Sequence, residues 1–81
     1  MPAADLEAKF FSVMSKMLNV PAASLSLASS RETLEAWDSL KHLHLMMALE
    51  EEFDIEFDDN EMSDLNKAES LLRAVVAKVE S

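Results

Sequence analysis

The sequence contains no glycine, no cysteine and no tyrosine, and only two prolines and one tryptophan. Each absence excludes something. Without glycine there is no loop whose backbone N–H groups can close around a phosphate, which sets aside the glycine-rich nucleotide-binding motifs. Without cysteine there are no disulfides, no thiolate metal sites and no cysteine nucleophile, so any thioester chemistry needs a thiol brought from elsewhere. No apolar run approaches the ~18 residues of a membrane-spanning helix, and the N-terminus has neither a basic region nor an apolar signal core, so the expected location is the cytoplasm. Cations are scarce as well: seven Lys and Arg stand against 16 Asp and Glu, a net charge of −9. That balance argues against nucleic acid and anionic membrane, and for basic protein surfaces as partners.

What is present is helix. The 81 residues make one domain, small enough to bury only about 60% of the surface of its unfolded chain. Leu6, Phe10, Phe11, Val13, Met14, Met17 and Leu18 recur at spacings of three and four, which predicts an amphipathic helix over 3–18 with Pro2 near its start. Asn19 and Pro21 end it. A loop over 19–38 follows, rich in Ser and Ala, with scattered apolar anchors at Val20, Leu25, Leu27 and Leu34. A second helix is predicted over 39–53, because Asp38 and Ser39 are both good N-cap residues and nothing after them breaks a helix. Leu45, Met46, Leu49 and Phe53 cluster on its core side, and Leu43, Met47 and Leu40 extend the apolar arc well past them. The extra arc is expected either to lie under the long loop or to face a partner or ligand.

Asp54 to Phe57 reads as a linker anchored by Ile55 and Phe57. Asp58 or Asp59 is expected to cap a short helix over 59–65 carrying Met62 and Leu65, and Asn66 to cap a last helix over 67–79. The fold class is therefore all-α, a small bundle of three main helices plus one short one. No β-sheet, internal repeat or low-complexity segment is expected.

Little of the usual chemistry assembles. His42 and His44 are two apart and point about 200° from each other on a helix, so they cannot share a metal ion. From Glu50 to Asp64 nine acids occur with no Lys or Arg. Read as a calcium loop from Asp54, that run has Asp59 where glycine belongs and Leu65 where a bidentate Glu belongs, so only weak, diffuse cation binding is expected. Ser39 and His42 could meet as nucleophile and base, but no glycine-built turn, oxyanion hole or cleft accompanies them, and no catalysis is expected. His42, on the core side but in the first turn, is expected to be partly exposed. Ser39 has two readings: a plain helix cap, or a hydroxyl beside the positive end of a helix, where a phosphate would be favoured.

Asp38-Ser39-Leu40, followed by an apolar helix running into Met47-Ala48-Leu49-Glu50-Glu51-Glu52-Phe53-Asp54-Ile55-Glu56, resembles the acyl carrier proteins, and the match extends from about Leu18 to Val79. The resemblance implies that Ser39 receives 4′-phosphopantetheine from coenzyme A through a carrier-protein synthase, and that acyl groups ride on the thiol of that arm between enzymes. It implies flanking roles for Asp38 and Leu40 in modification and docking. Leu40, Met47, Glu50 and Glu51 then correspond to the surface that meets acyl-loading and acyl-using enzymes through their basic docking faces. The chain departs from the family in carrying Ala36 where a glycine is usual, and Trp37 directly before Asp38. It also has Lys41 and His44 where members serving fatty acid synthesis carry acids, so charge at two docking positions is removed or reversed.

The resulting expectation is a monomeric carrier, not an enzyme, with no specific metal site, serving a specialised pathway rather than primary fatty acid synthesis. The alternatives are an aminoacyl or peptidyl carrier and, in another class, an unmodified acidic helical adaptor in which Ser39 is a mere cap. Repulsion among residues 50–64 predicts that millimolar divalent cation or added salt raises the thermal midpoint in calorimetry. A midpoint indifferent to both would show that the acids are already adequately solvated.

Overall fold

The chain folds into four helices, seen in a computed structural model that describes residues 3–80. Helix α1 spans Ala3–Leu18, α2 Ser39–Phe53, α3 Asp59–Asp64 and α4 Ala68–Glu80, with a single 3-10 turn at Ala22–Ser24 in the long loop. The all-α class and the first two helices follow the sequence pattern. The short helix stops one residue earlier than expected, and the last begins and ends one later. Pro2 lies outside the described residues.

The periodicity of α1 explains how it packs. Leu6, Phe10, Met14 and Leu18, four apart, present one buried stripe. It meets Leu45, Met46 and Leu49 of α2 and Ala68, Leu71, Leu72 and Val75 of α4, and Trp37 closes the cluster from the loop. A fully buried side chain of this kind contributes about 1.5–3 kcal/mol. Phe53, Ile55, Met62 and Leu65 pack against the rim of this core, and Lys9 and Lys78 lie over the rings of Phe53 and Phe57 at 5.5 Å each.

Lacking glycine, the chain turns out of its helices with asparagine and aspartate. Asn19 after α1 and Asp54 after α2 adopt left-handed backbone angles, φ 57° and 54°. In each case the following N–H reaches back five residues, Val20 to the Ser15 carbonyl at 3.2 Å and Ile55 to that of Glu50 at 3.0 Å. Helix α3 begins with a reciprocal capping box: the Asp58 carboxylate accepts from Glu61 N–H at 2.7 Å, and Glu61 accepts from Asp58 N–H at 3.0 Å.

The start of α4 corrects the expectation that Asn66 caps it. The carbonyls of Ser29 and Leu27 in the long loop accept from the N–H groups of Ala68 and Glu69, at 2.8 and 3.1 Å. A carbonyl from a distant segment does the work that capping rules assign to a neighbouring side chain, because a helix N-terminus needs acceptors whatever their source. The same docking pairs Ser30 with Lys67 in an isolated antiparallel bridge and brings the Arg31 N–H to the Asn66 carbonyl at 3.0 Å. Among the described residues there is no strand beyond that bridge.

Asp54 combines a left-handed backbone with a carboxylate at the negative end of α2. Asp54→Gly is expected to remove both burdens and, after the added freedom of the unfolded chain, to stabilise the fold by about 0.5–1 kcal/mol. Urea unfolding measures it, and a lower midpoint for the variant would refute the account.

Candidate functional site

The site is built where the long loop ends and α2 begins. Asp38 is extended, φ −89° and ψ −176°; its carboxylate accepts from Lys41 N–H at 2.9 Å and its carbonyl from His42 N–H at 2.8 Å. Asp38 is thus the N-cap and Ser39 the first helical residue. The reading of Ser39 as a cap is thereby corrected, since its exposed hydroxyl does no capping. Its oxygen instead accepts a hydrogen bond from Nη2 of Arg31 at 2.9 Å. Arg31 is held from its other side, with Nη1 donating to Asn66 Oδ1 at 3.0 Å, while the Asn66 amide donates to the Ser63 carbonyl at 2.7 Å.

Beneath this surface His42 is buried, 5% exposed, where the sequence suggested partial exposure. The reason is Trp37. Its indole N–H donates to His42 Nδ1 at 3.0 Å, and His42 Nε2 lies 2.7 Å from the Met62 carbonyl. An indole nitrogen can only donate, so Nδ1 must accept and Nε2 must carry the proton that it gives to Met62. The imidazole is therefore neutral and has no free nitrogen to take a proton from Ser39, which removes the one base that a hydrolytic reading could use. Burial holds its pKa below 6.5; the Met62 carbonyl opposes that shift and the Arg31 charge adds to it. Among the described residues no group of three or more His, Cys, Asp or Glu side chains could hold a metal ion.

The outer face of α2 carries the remaining candidates. Leu40, Leu43 and Met47 are 61%, 46% and 55% exposed, so the long loop does not cover the apolar arc. At about 100° per residue, Leu40, His44, Met47 and Glu51 fall in one exposed stripe starting beside Ser39. Lys41 lies a quarter-turn off it and is half-buried. Glu50 is set apart: it is half-buried, and its carboxylate accepts from Phe57 N–H at 2.8 Å. Arg31, Trp37 and Asn66 were not singled out as site residues by sequence reasoning. The spacing of Trp37 and His42 across a helix start was the one visible signal, whereas Arg31 and Asn66 are 35 positions apart.

No family model matches the chain. An acyl carrier protein of Buchnera aphidicola subsp. Schizaphis graminum (strain Sg) is 43% identical over 63 residues, covering 76% of this chain and 78% of that protein. The chain belongs to the acyl carrier protein family. The crystal structure of the acyl carrier protein of Thermotoga maritima superimposes with a TM-score of 0.78 at 27% identity, covering 99% of this chain and 93% of that one. Acyl carrier proteins are carriers and not enzymes; they bear a 4′-phosphopantetheine prosthetic group and serve partner enzymes, and this chain has an acyl carrier role. No helix among the described residues is long and apolar enough to cross a membrane.

His42 is neutral in the fold and titrates near 6.5 when unfolded, so below that pH the unfolded state binds more protons. Its contribution to stability is complete above about pH 6.5 and declines as pH falls through that value. His42→Gln removes this titration. The stability advantage of the parent over the variant, from urea unfolding followed by circular dichroism, is expected to shrink between pH 7.5 and 5.5; parallel curves would contradict the assignment.

Proposed function

We propose that Ser39 carries the 4′-phosphopantetheine arm and that the stripe along α2 receives the partner enzymes. The observation that supports Ser39 is that its hydroxyl is exposed at the first position of α2 while Asp38 does the capping, so modification costs the helix no cap. An anionic phosphodiester fits there, next to first-turn N–H groups and a guanidinium. In the transfer, Ser39 Oγ forms a bond to phosphorus as the phosphoanhydride P–O bond of coenzyme A breaks. Adenosine 3′,5′-bisphosphate leaves with the electron pair, and the serine proton goes to a base on the carrier-protein synthase, because His42 has no nitrogen to spare. Once attached, the arm supplies the thiol that the chain lacks and holds the acyl group as a thioester.

Asp38 and Leu40 flank the hydroxyl and form the part of the motif that the synthase reads. Leu40, Met47 and Glu51, exposed on one side of α2, offer an apolar and acidic contact to basic enzyme surfaces, with Glu50 at its edge. Lys41 adds a positive charge to the half of the helix nearest Ser39 and His44 puts no acid there, which favours partners with an acid at that end. Because juxtaposed like charges at an interface cost several kcal/mol, this pattern supports a specialised pathway over primary fatty acid synthesis: polyketide, lipid, surface-polysaccharide or amino-acid loading. The second reading is an aminoacyl or peptidyl carrier. A free thiol on the arm calls for a reducing compartment, which supports the cytoplasm, and the net charge of −9 supports a monomer through self-repulsion.

The test is the intact mass of the protein from its native cells, with fragmentation to locate the adduct. Phosphopantetheine on Ser39 is expected, and any attached acyl or aminoacyl group identifies the cargo. Ser39→Ala should take up no arm from coenzyme A and a broad-range synthase, yet stay folded within ~1 kcal/mol of the parent. A parent chain that gains no mass under the same treatment would overturn the proposal.

A further inference from the structure

We infer that Arg31 is a built-in ligand for the phosphodiester formed on Ser39, an anion subsite supplied by the long loop. The inference rests on the reading of Ser39 as the attachment residue and goes beyond it by assigning a task to a residue eight positions upstream.

Four observations carry it. First, the Arg31 guanidinium already donates to Ser39 Oγ at 2.9 Å. The phosphorus would sit one covalent bond beyond that oxygen, which places its non-bridging oxygens within reach of the same guanidinium. Second, Arg31 is aimed by tertiary structure: its N–H bonds the Asn66 carbonyl at 3.0 Å and its Nη1 the Asn66 side chain at 3.0 Å, and Asn66 is anchored on Ser63. Little side-chain freedom then remains to be lost when an anion arrives. Third, the charge is unspent. Arg31 makes no ion pair among the described residues, although 16 carboxylates are present in the chain. Only two of its five N–H donors are directed at side chains, and a planar fork suits phosphate oxygens. Fourth, the site needs a cation. Glu32, Glu35 and Asp38 line the same groove as Arg31 and Ser39, so a phosphodiester there would otherwise face three carboxylates. Lysine could supply charge but not the fork that holds Asn66 and the anion together.

The experiment uses the whole protein, labelled with 15N-arginine, before and after loading with coenzyme A and the synthase. The chain has two arginines, so Arg73, exposed and paired with Glu69 on α4, serves as the internal control. Mass spectrometry is read first, and an absent adduct on Ser39 overturns the reading on which this one rests before any resonance is measured. With the adduct in place, the Arg31 side-chain Nε–Hε signal is expected to shift several times further than that of Arg73. The 31P line of the phosphodiester should move in loaded Arg31→Gln, move less in Arg31→Lys, and stay in place in Arg73→Gln. An Arg31 signal that does not respond in the fully loaded parent overturns the inference without recourse to any variant. A 31P line identical in parent, Arg31→Gln and Arg73→Gln overturns it as well.

Discussion

A histidine ring taken out of water must find partners for two nitrogens of opposite character, and that requirement organises the site end of this molecule. His42 meets it with the Trp37 indole on one side and the Met62 carbonyl on the other. Each bond is worth only about 1 kcal/mol net, but leaving either nitrogen unpaired would cost about 1–3 kcal/mol, so the arrangement is held by what its loss would expose. It joins three parts of the chain that the hydrophobic core also brings together: the last residue of the loop before the cap, the first turn of α2 and the body of α3. Trp37 is held at 1% exposure while Asp38 and Ser39, which follow it, are exposed, one capping α2 and the other accepting from Arg31.

The second constraint is the lack of glycine. Exits from α1 and α2 fall to Asn19 and Asp54, whose short polar side chains tolerate left-handed angles at some cost. The long loop has no glycine either, and it is held by hydrogen bonds that its oxygens accept. Serine and threonine hydroxyls close its local turns, with Ser29 Oγ accepting from Ser26 N–H at 2.9 Å and Thr33 Oγ1 from Ser30 N–H at 3.1 Å. Its carbonyls at Leu27 and Ser29 then satisfy the open end of α4. One docking event therefore completes a helix cap and carries Arg31 to Ser39. A loop tied by N–H groups of a packed helix is a better platform for a polar contact than one anchored by leucines alone.

How far the sequence could be read follows the range of the interactions involved. The stripe of Leu6, Phe10, Met14 and Leu18 and the core face of Leu45, Met46 and Leu49 are local patterns, and their helices form as their spacing says. Asp38-Ser39-Leu40 with the acidic end of α2 was legible as a family resemblance, and a relative at 43% identity bears that out. The misreadings are at places where a distant partner won. His42 was judged by its place in the first turn of a helix, which says nothing of Trp37 behind it. Asn66 was judged by its capping side chain, which is instead shared between Ser63 and Arg31. Asp38 and Ser39 are equally good caps by residue type, and the role falls to Asp38, whose carboxylate accepts from Lys41 N–H.

Arg31 connects these parts electrostatically. Its charge reaches Ser39 through a hydrogen bond, and through space it is one of the causes that hold the His42 pKa down. A negative group on Ser39 would offset that charge, and the offset would act on His42 in the direction opposite to Arg31. The exposed hydroxyl and the buried triad of Trp37, His42 and Met62 are thus linked through one guanidinium. The outer stripe of Leu40, His44, Met47 and Glu51, across the helix from His42, lies in water, where charges are screened. One helix thus has two unlike sides: its first turn and inner face are bonded into the surroundings of the hydroxyl, and its outer face is open to solvent.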